Sequence, residues 1–145
     1  MSPWGHFVAA LPLAGGLYAL GASAPEAAAA VAAGVLVDVD HVADYLWLKR
    51  GRFKLRSFYA EYRGHLTERL ILLFHSWELA AVTVFAFWLW SAPPWAWCLA
   101  AGWVYHLLSD QVTNRVGPRF YFLCFRAARG FRRSALPCQQ GRPQP

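Results

Sequence analysis

Four apolar stretches, residues 6–20, 26–48, 68–90 and 95–113, fill most of this 145-residue chain, and its 14 Lys and Arg residues avoid two of the three connections between them. Gly21-Ala22-Ser23-Ala24-Pro25 and Ser91-Ala92-Pro93-Pro94 hold neither Lys nor Arg. Every basic residue lies in the middle loop, at its borders, or after position 114. If the stretches run alternately up and down, the N-terminus, the middle loop and the C-terminal tail share one basic face. Excess Lys and Arg in short loops marks the cytoplasmic side of a bilayer. The pattern therefore predicts an all-α, polytopic membrane bundle of about four transmembrane or membrane-embedded helices, with both termini cytoplasmic.

Only 15% of the residues are charged, where a soluble domain carries about a quarter. The net charge of +6, concentrated on one face, favours membrane lipids with anionic head groups as partners; nucleic acid is not expected. A full crossing takes about 20 apolar residues. Residues 68–90 meet that length, whereas 6–20 and 95–113 are short or interrupted and suit tilted or re-entrant segments. Trp4, Trp47, Trp77, Trp88, Trp90, Trp95, Trp97 and Trp103 fall mostly near the expected ends, as interfacial aromatics do. The chain reads as one helical domain over residues 1–136, with a basic loop at 49–67 and a disordered Pro- and Gln-rich tail at 137–145. Phe120–Phe125, followed by Arg126, Arg129, Arg132 and Arg133, reads as an interfacial helix with a basic face. The lack of a basic residue before Phe7–Leu20 argues against a signal peptide, so His6 is retained. Cys98, Cys124 and Cys138 form no metal or disulfide pattern, and no internal sequence repeat is evident.

Chemistry is concentrated where the apolar stretches begin or end. His6 opens the first; Asp38, Asp40, His41 and Asp44 close the second; His75 and Glu78 lie in the first half of the third; His106 and Asp110 close the fourth. Ionisable groups in such segments are costly and face a cavity or a partner. Alternating helices bring all four positions to one depth. Asp38 and His41 are three apart and His106 and Asp110 four apart, so each pair shares a helix face. Facing helices that project carboxylate and imidazole pairs inward are the device of two-metal bundles. Imidazole with carboxylate and no thiolate suits zinc, with iron or manganese as alternatives, and the set is large enough for one or two ions. Asn114, four residues past Asp110, either orients a ligand or caps the helix; His65, in the basic loop, reads as solvated.

In order and spacing, His6, Asp38-Val39-Asp40-His41, His75-Ser76 and His106-Leu107-Leu108-Ser109-Asp110 resemble the DUF457 family of small bacterial and archaeal membrane proteins. Phe74 before His75 and Leu36-Val37 before Asp38 make it a divergent match. The resemblance spans roughly residues 5–114. It implies an inner-membrane, metal-dependent hydrolase similar to zinc-dependent phospholipase C, with a di-metal centre inside a helical bundle. The expected ligands are His6, Asp38, Asp40, His41, His75, His106 and Asp110. Glu78, one turn from a ligand, is the expected general base. Two other readings stay open: a non-catalytic membrane protein braced by a buried His/Asp metal or hydrogen-bonded cluster, and a bis-histidine haem carrier.

Overall fold

Apolar runs become helices here, and the turn residues between them set the ends. The computed structural model describes residues 3–63, 67–114 and 116–136. Among these, the helices are α1 (Pro3–Ala19), α2 (Ala24–Leu36), α3 (Val39–Leu48), α4 (Leu55–Arg63), α5 (Trp77–Leu89), α6 (Pro94–Thr113) and α7 (Leu123–Ala128), followed by a 3₁₀ turn at Arg133–Ala135. No β-strand occurs among the described residues; a single antiparallel bridge joins Arg69 to Arg132. The protein is all-α. His65 and the tail at 137–145 lie outside the described residues.

Two αα-hairpins, α1–α2 and α5–α6, form the frame, and they close with the same turn. Gly21 N donates to Tyr18 O and Ala22 N to Leu17 O; Ser91 N donates to Trp88 O and Ala92 N to Phe87 O. Both are Schellman motifs, which need a residue of positive φ just past the helix. Gly21 (φ 101°) supplies it in one hairpin and Ser91 (φ 48°) in the other. Proline follows at once, Pro25 near the start of α2 and Pro94 opening α6, where its missing N–H costs nothing. At the start of α2, Glu26 Oε2 accepts from both the N–H and the hydroxyl of Ser23 at 2.7 Å. The architecture thus repeats although the residues do not.

Helix α2 packs on α6 as the central pair, with α1 against both and α5 against α6. Small residues set their separation. A Cβ on Gly102 would stand 2.0 Å from the Ala30 carbonyl oxygen, and one on Gly34 would stand 3.4 Å from the Gly102 carbonyl. Close backbone approach through small residues is how apolar helices pack without large side chains.

Three expectations about elements need correction. The second stretch is two helices, because α2 ends at Leu36 and Asp38 N turns back to Val35 O, with α3 starting afresh at Val39. The third stretch is helical only from Trp77; residues 67–76 are irregular. The C-terminal helix does not present a uniformly solvated basic face, since Arg126 is fully buried. Leu70, Leu72, Phe120, Tyr121 and Leu136 form a small core that joins residues 67–76 to the C-terminal segment. No helix among the described residues is long and apolar enough to cross a membrane.

Candidate metal centre

The hairpin turns lie at one end of the frame, and the free ends of both hairpins meet at the other. Each hairpin brings a histidine where it begins and a His/Asp pair where it ends: His6 with Asp38 and His41, and His75 with His106 and Asp110. The structure combines them crosswise into two groups that could each hold a metal ion, His6, His106 and Asp110 in one and Asp38, His41 and His75 in the other. Each triad takes its leading histidine from one hairpin and its trailing pair from the other.

In the first triad His6 Nε2 lies 3.0 Å from Asp110 Oδ1, and the His6 and His106 rings stack at 3.9 Å. In the second, Asp38 Oδ1 lies 3.8 Å from His41 Nε2 and 3.7 Å from His75 Nε2. The triads adjoin. His75 Nε2 and His106 Nε2 are 3.1 Å apart, Asp38 Oδ1 is 3.7 Å from His106 Nε2, and Asp110 Oδ2 is 3.7 Å from His75 Nε2. His6, His75, His106 and Asp110 are buried, while Asp38 and His41 keep 12% and 14% of their side chains exposed. The Asp38–His41 side is thus the least buried part of the cluster.

Local backbone chemistry fixes the imidazoles. Because α2 stops early, its last helical hydrogen bond is accepted by Ala33, and the Gly34 carbonyl is left for His106 Nδ1 at 2.6 Å. A carbonyl only accepts, so Nδ1 carries the proton and Nε2 presents a lone pair. His75 Nδ1 faces Asp40 Oδ2 at 3.4 Å, and an ionised carboxylate likewise assigns it the proton. With both rings neutral, two Nε2 lone pairs point at each other at this contact; a proton shared between the rings, or a cation beside them, would relieve it. Imidazole held by carboxylate or carbonyl on its far nitrogen is the usual setting of a metal-ligating histidine.

The irregular segment that carries His75 is held by side chains from three helices. Asp44 Oδ2 accepts from Ile71 N and Leu72 N, and Asp40 Oδ2 accepts from Phe74 N and His75 N. Trp103 Nε1 donates to Phe74 O at 2.6 Å, and Arg126 Nη2 donates to Leu72 O and His75 O, each at 2.9 Å. Buried backbone polar groups must be paired, and here side chains do what a helix would otherwise do. Burial pulls the Arg126 guanidinium below its ordinary pKa, against the opposing pull of Asp40, Glu78 and Asp44; arginine keeps its charge regardless.

Of the sequence-derived residues, His6, Asp38, His41, His75, His106 and Asp110 converge. Asp40 does not join either triad; its hydrogen bonds make it the support of His75. Glu78 stands apart: its carboxylate accepts from Leu123 N at 2.8 Å, Cys124 N at 2.9 Å and Ser76 Oγ at 3.0 Å. That places it at the N-terminus of α7, where a carboxylate satisfies unpaired N–H groups. Asn114 Nδ2 donates to Tyr121 Oη, which donates to Asp110 Oδ2 at 3.3 Å, so Asn114 acts one residue removed from a candidate ligand. Sequence reasoning missed Tyr121, Trp103 and Arg126. A polar group flanked by aromatics, as Arg126 is, was the available signal.

Comparison of the chain with protein-family models, curated proteins and solved structures returns no match.

Proposed function

We propose that this chain is a membrane-embedded, metal-dependent hydrolase of the DUF457 type, acting on a phosphoester at the basic face. The observation that carries the reading is Asp38. Both of its carboxylate oxygens are buried without a hydrogen bond, although four imidazole nitrogens, from His6, His41, His75 and His106, lie 3.7–3.9 Å away. That separation is too long for a hydrogen bond. It suits atoms sharing an ion, since ligands about 2.0–2.1 Å from a tetrahedral zinc are roughly 3.4 Å apart. An imidazolium would instead draw the carboxylate to about 2.8 Å. The Nε2–Nε2 approach of His75 and His106 also leaves no room for a macrocycle between them, which counts against haem.

Two adjoining triads of two imidazoles and one carboxylate favour a pair of divalent ions. Zinc is the leading choice for these donors, with iron or manganese possible. Ions held there supply Lewis-acid polarisation of a phosphoryl oxygen and activation of water near neutral pH. The protein's part is to hold the ligands rigidly and leave one edge open. Gly34, Asp40 and Tyr121 orient His106, His75 and Asp110, and substrate reaches the Asp38–His41 edge. Glu78, committed to α7, is not placed to move a proton at the cluster.

A lipid setting is supported by what the helices leave outside. Trp4 and Tyr18 on α1, Val82, Phe85 and Trp88 on α5, and Trp95 on α6 are all more than half exposed, as are Leu20 and Trp90 in the two turns. Exposed apolar side chains in this number suit a membrane or a partner surface. Helices of 13–20 residues rise about 20–30 Å against a hydrocarbon core of about 30 Å, so in this reading the frame is embedded in the bilayer although no described helix has the length and apolarity of a crossing.

Detergent-purified protein should carry about two divalent ions per chain. By elemental analysis, His6→Ala and His41→Ala should each lose about one. A wild type that stays folded and cannot be loaded would end the hydrolase reading, leaving a hydrogen-bonded structural cluster. Loss of all metal in both variants would mean a single shared ion. Recovery in the soluble fraction without detergent would remove the membrane assignment.

A further inference from the structure

Away from the metal centre, a cavity of about 370 Å³ opens between the Pro118-Arg119 turn, α7 and the segment Ser134–Leu136. It lies within the size range of small-ligand sites. Its polar groups are Arg119, Arg129 and the hydroxyl of Ser134; its apolar walls are Pro118, Phe125 and Leu136. No carboxylate lines it, and neither Arg119 nor Arg129 has an ion pair among the described residues. Two arginines therefore line one concavity, with no carboxylate among its described lining residues.

Part of the lining is braced, while Pro118, Arg119, Arg129, Ser134 and Ala135 are exposed. The Arg129 guanidinium sits 3.7 Å above the Phe125 ring, a stacked position that holds the planar fork without using its N–H donors. Phe125 packs on the small core that includes buried Leu136. The neighbouring Arg126 of α7 is turned the other way, into the backbone around His75. Helix α7 thus sends Arg126 to one site, and Arg129, which caps its C-terminal end, lines the other.

We infer that this cavity binds a phosphoryl group, gripped by Arg119 and Arg129 with Ser134 as a further donor. Guanidinium forks match phosphate oxygens bidentately, and the Pro118–Phe125–Leu136 wall suits an ester substituent on that phosphate. The group is either a free phosphate or a phospholipid head. The inference does not depend on the hydrolase reading.

The test is calorimetric titration of the full chain in neutral detergent with a metal chelator present, so that binding at the His/Asp cluster does not contribute. The probes are inorganic phosphate, monomeric dihexanoyl phosphatidic acid and, as a neutral control, dihexanoyl phosphatidylcholine. We expect saturable binding that weakens about tenfold or more in an Arg119→Gln/Arg129→Gln double variant and is unchanged in Arg56→Gln. Similar affinity for both anionic probes identifies a phosphate site, and preference for phosphatidic acid identifies a head-group site. No saturable binding of either, or binding unchanged in a double variant whose thermal melt matches wild type, overturns the proposal.

Discussion

The two hairpins solve one problem in different ways. In the first, His6 rides on regular helix α1, but the trailing pair sits where the chain breaks between α2 and α3. In the second, His106 and Asp110 ride on the unbroken helix α6, while His75 sits in irregular backbone before α5. Each hairpin therefore carries one ligand set on a regular helix and one at irregular backbone, and the crosswise pairing puts both regular sets in one triad and both irregular sets in the other. Irregular backbone frees carbonyls and N–H groups that must be satisfied, and those groups become the orienting contacts. Gly34 O on His106 comes from the first break. The loop around His75 instead recruits Asp40, Asp44, Trp103 and Arg126. A helix positions a ligand through its own spacing, whereas a loop does so only through neighbours.

The largest effect is expected at the axis where the hairpins meet. Gly102→Val should cost more than about 4 kcal/mol or abolish folding, because its Cβ would occupy the Ala30 carbonyl. Gly34→Ala, at an ordinary contact distance, should cost far less; thermal melts in detergent would show equal losses if the axis were soft. Next comes the recruited support of the second hairpin. Arg126→Met leaves His75 O buried and unpaired and removes one of the two donors to Leu72 O, and should cost about 1–3 kcal/mol by chemical denaturation. A loss like that of an exposed arginine would show that the loop holds itself. Asp40→Asn should weaken metal binding about 10–100-fold without altering stoichiometry, measured by competition with a chromogenic chelator; an altered stoichiometry would make Asp40 a ligand. The smallest effects belong to the twin turns. Gly21→Ala should lose about 1–2 kcal/mol from its left-handed backbone, since nothing crowds its Cβ position. Ser91→Gly should gain up to about 1 kcal/mol by relieving the same conformation. Opposite signs in the two turns would establish that they are one motif with different residues.

Much of the site was legible in the chain. His6, Asp38, His41, His75, His106 and Asp110 are polar groups in apolar surroundings, and alternation of helix direction alone brings them to one end. The i,i+4 spacing of His106 and Asp110 lies on one helix, α6, whereas Asp38 stands in the break before α3 and is not helical with His41. The break at Val37-Asp38 was not legible, because neither residue is a helix breaker and the stop depends on how α2 meets α6. Leu70-Ile71-Leu72-Leu73-Phe74 misled for a different reason: an apolar run reads the same whether helix or buried loop. The roles of Asp40, Glu78 and Arg126 depend on which segment docks against them. Side-chain to backbone contacts across 35 to 54 positions leave no periodic trace.

The crosswise composition of the triads bears on biosynthesis. The first hairpin, with the segment after it, emerges from the ribosome holding His6, Asp38 and His41, but no complete triad. His75 arrives later, and His106 and Asp110 later still, so a chain interrupted before α6 possesses at most one of the two sites. Completion of both groups is thereby tied to nearly the whole chain, and a product truncated before α6 could assemble only Asp38, His41 and His75 and not His6 with His106 and Asp110.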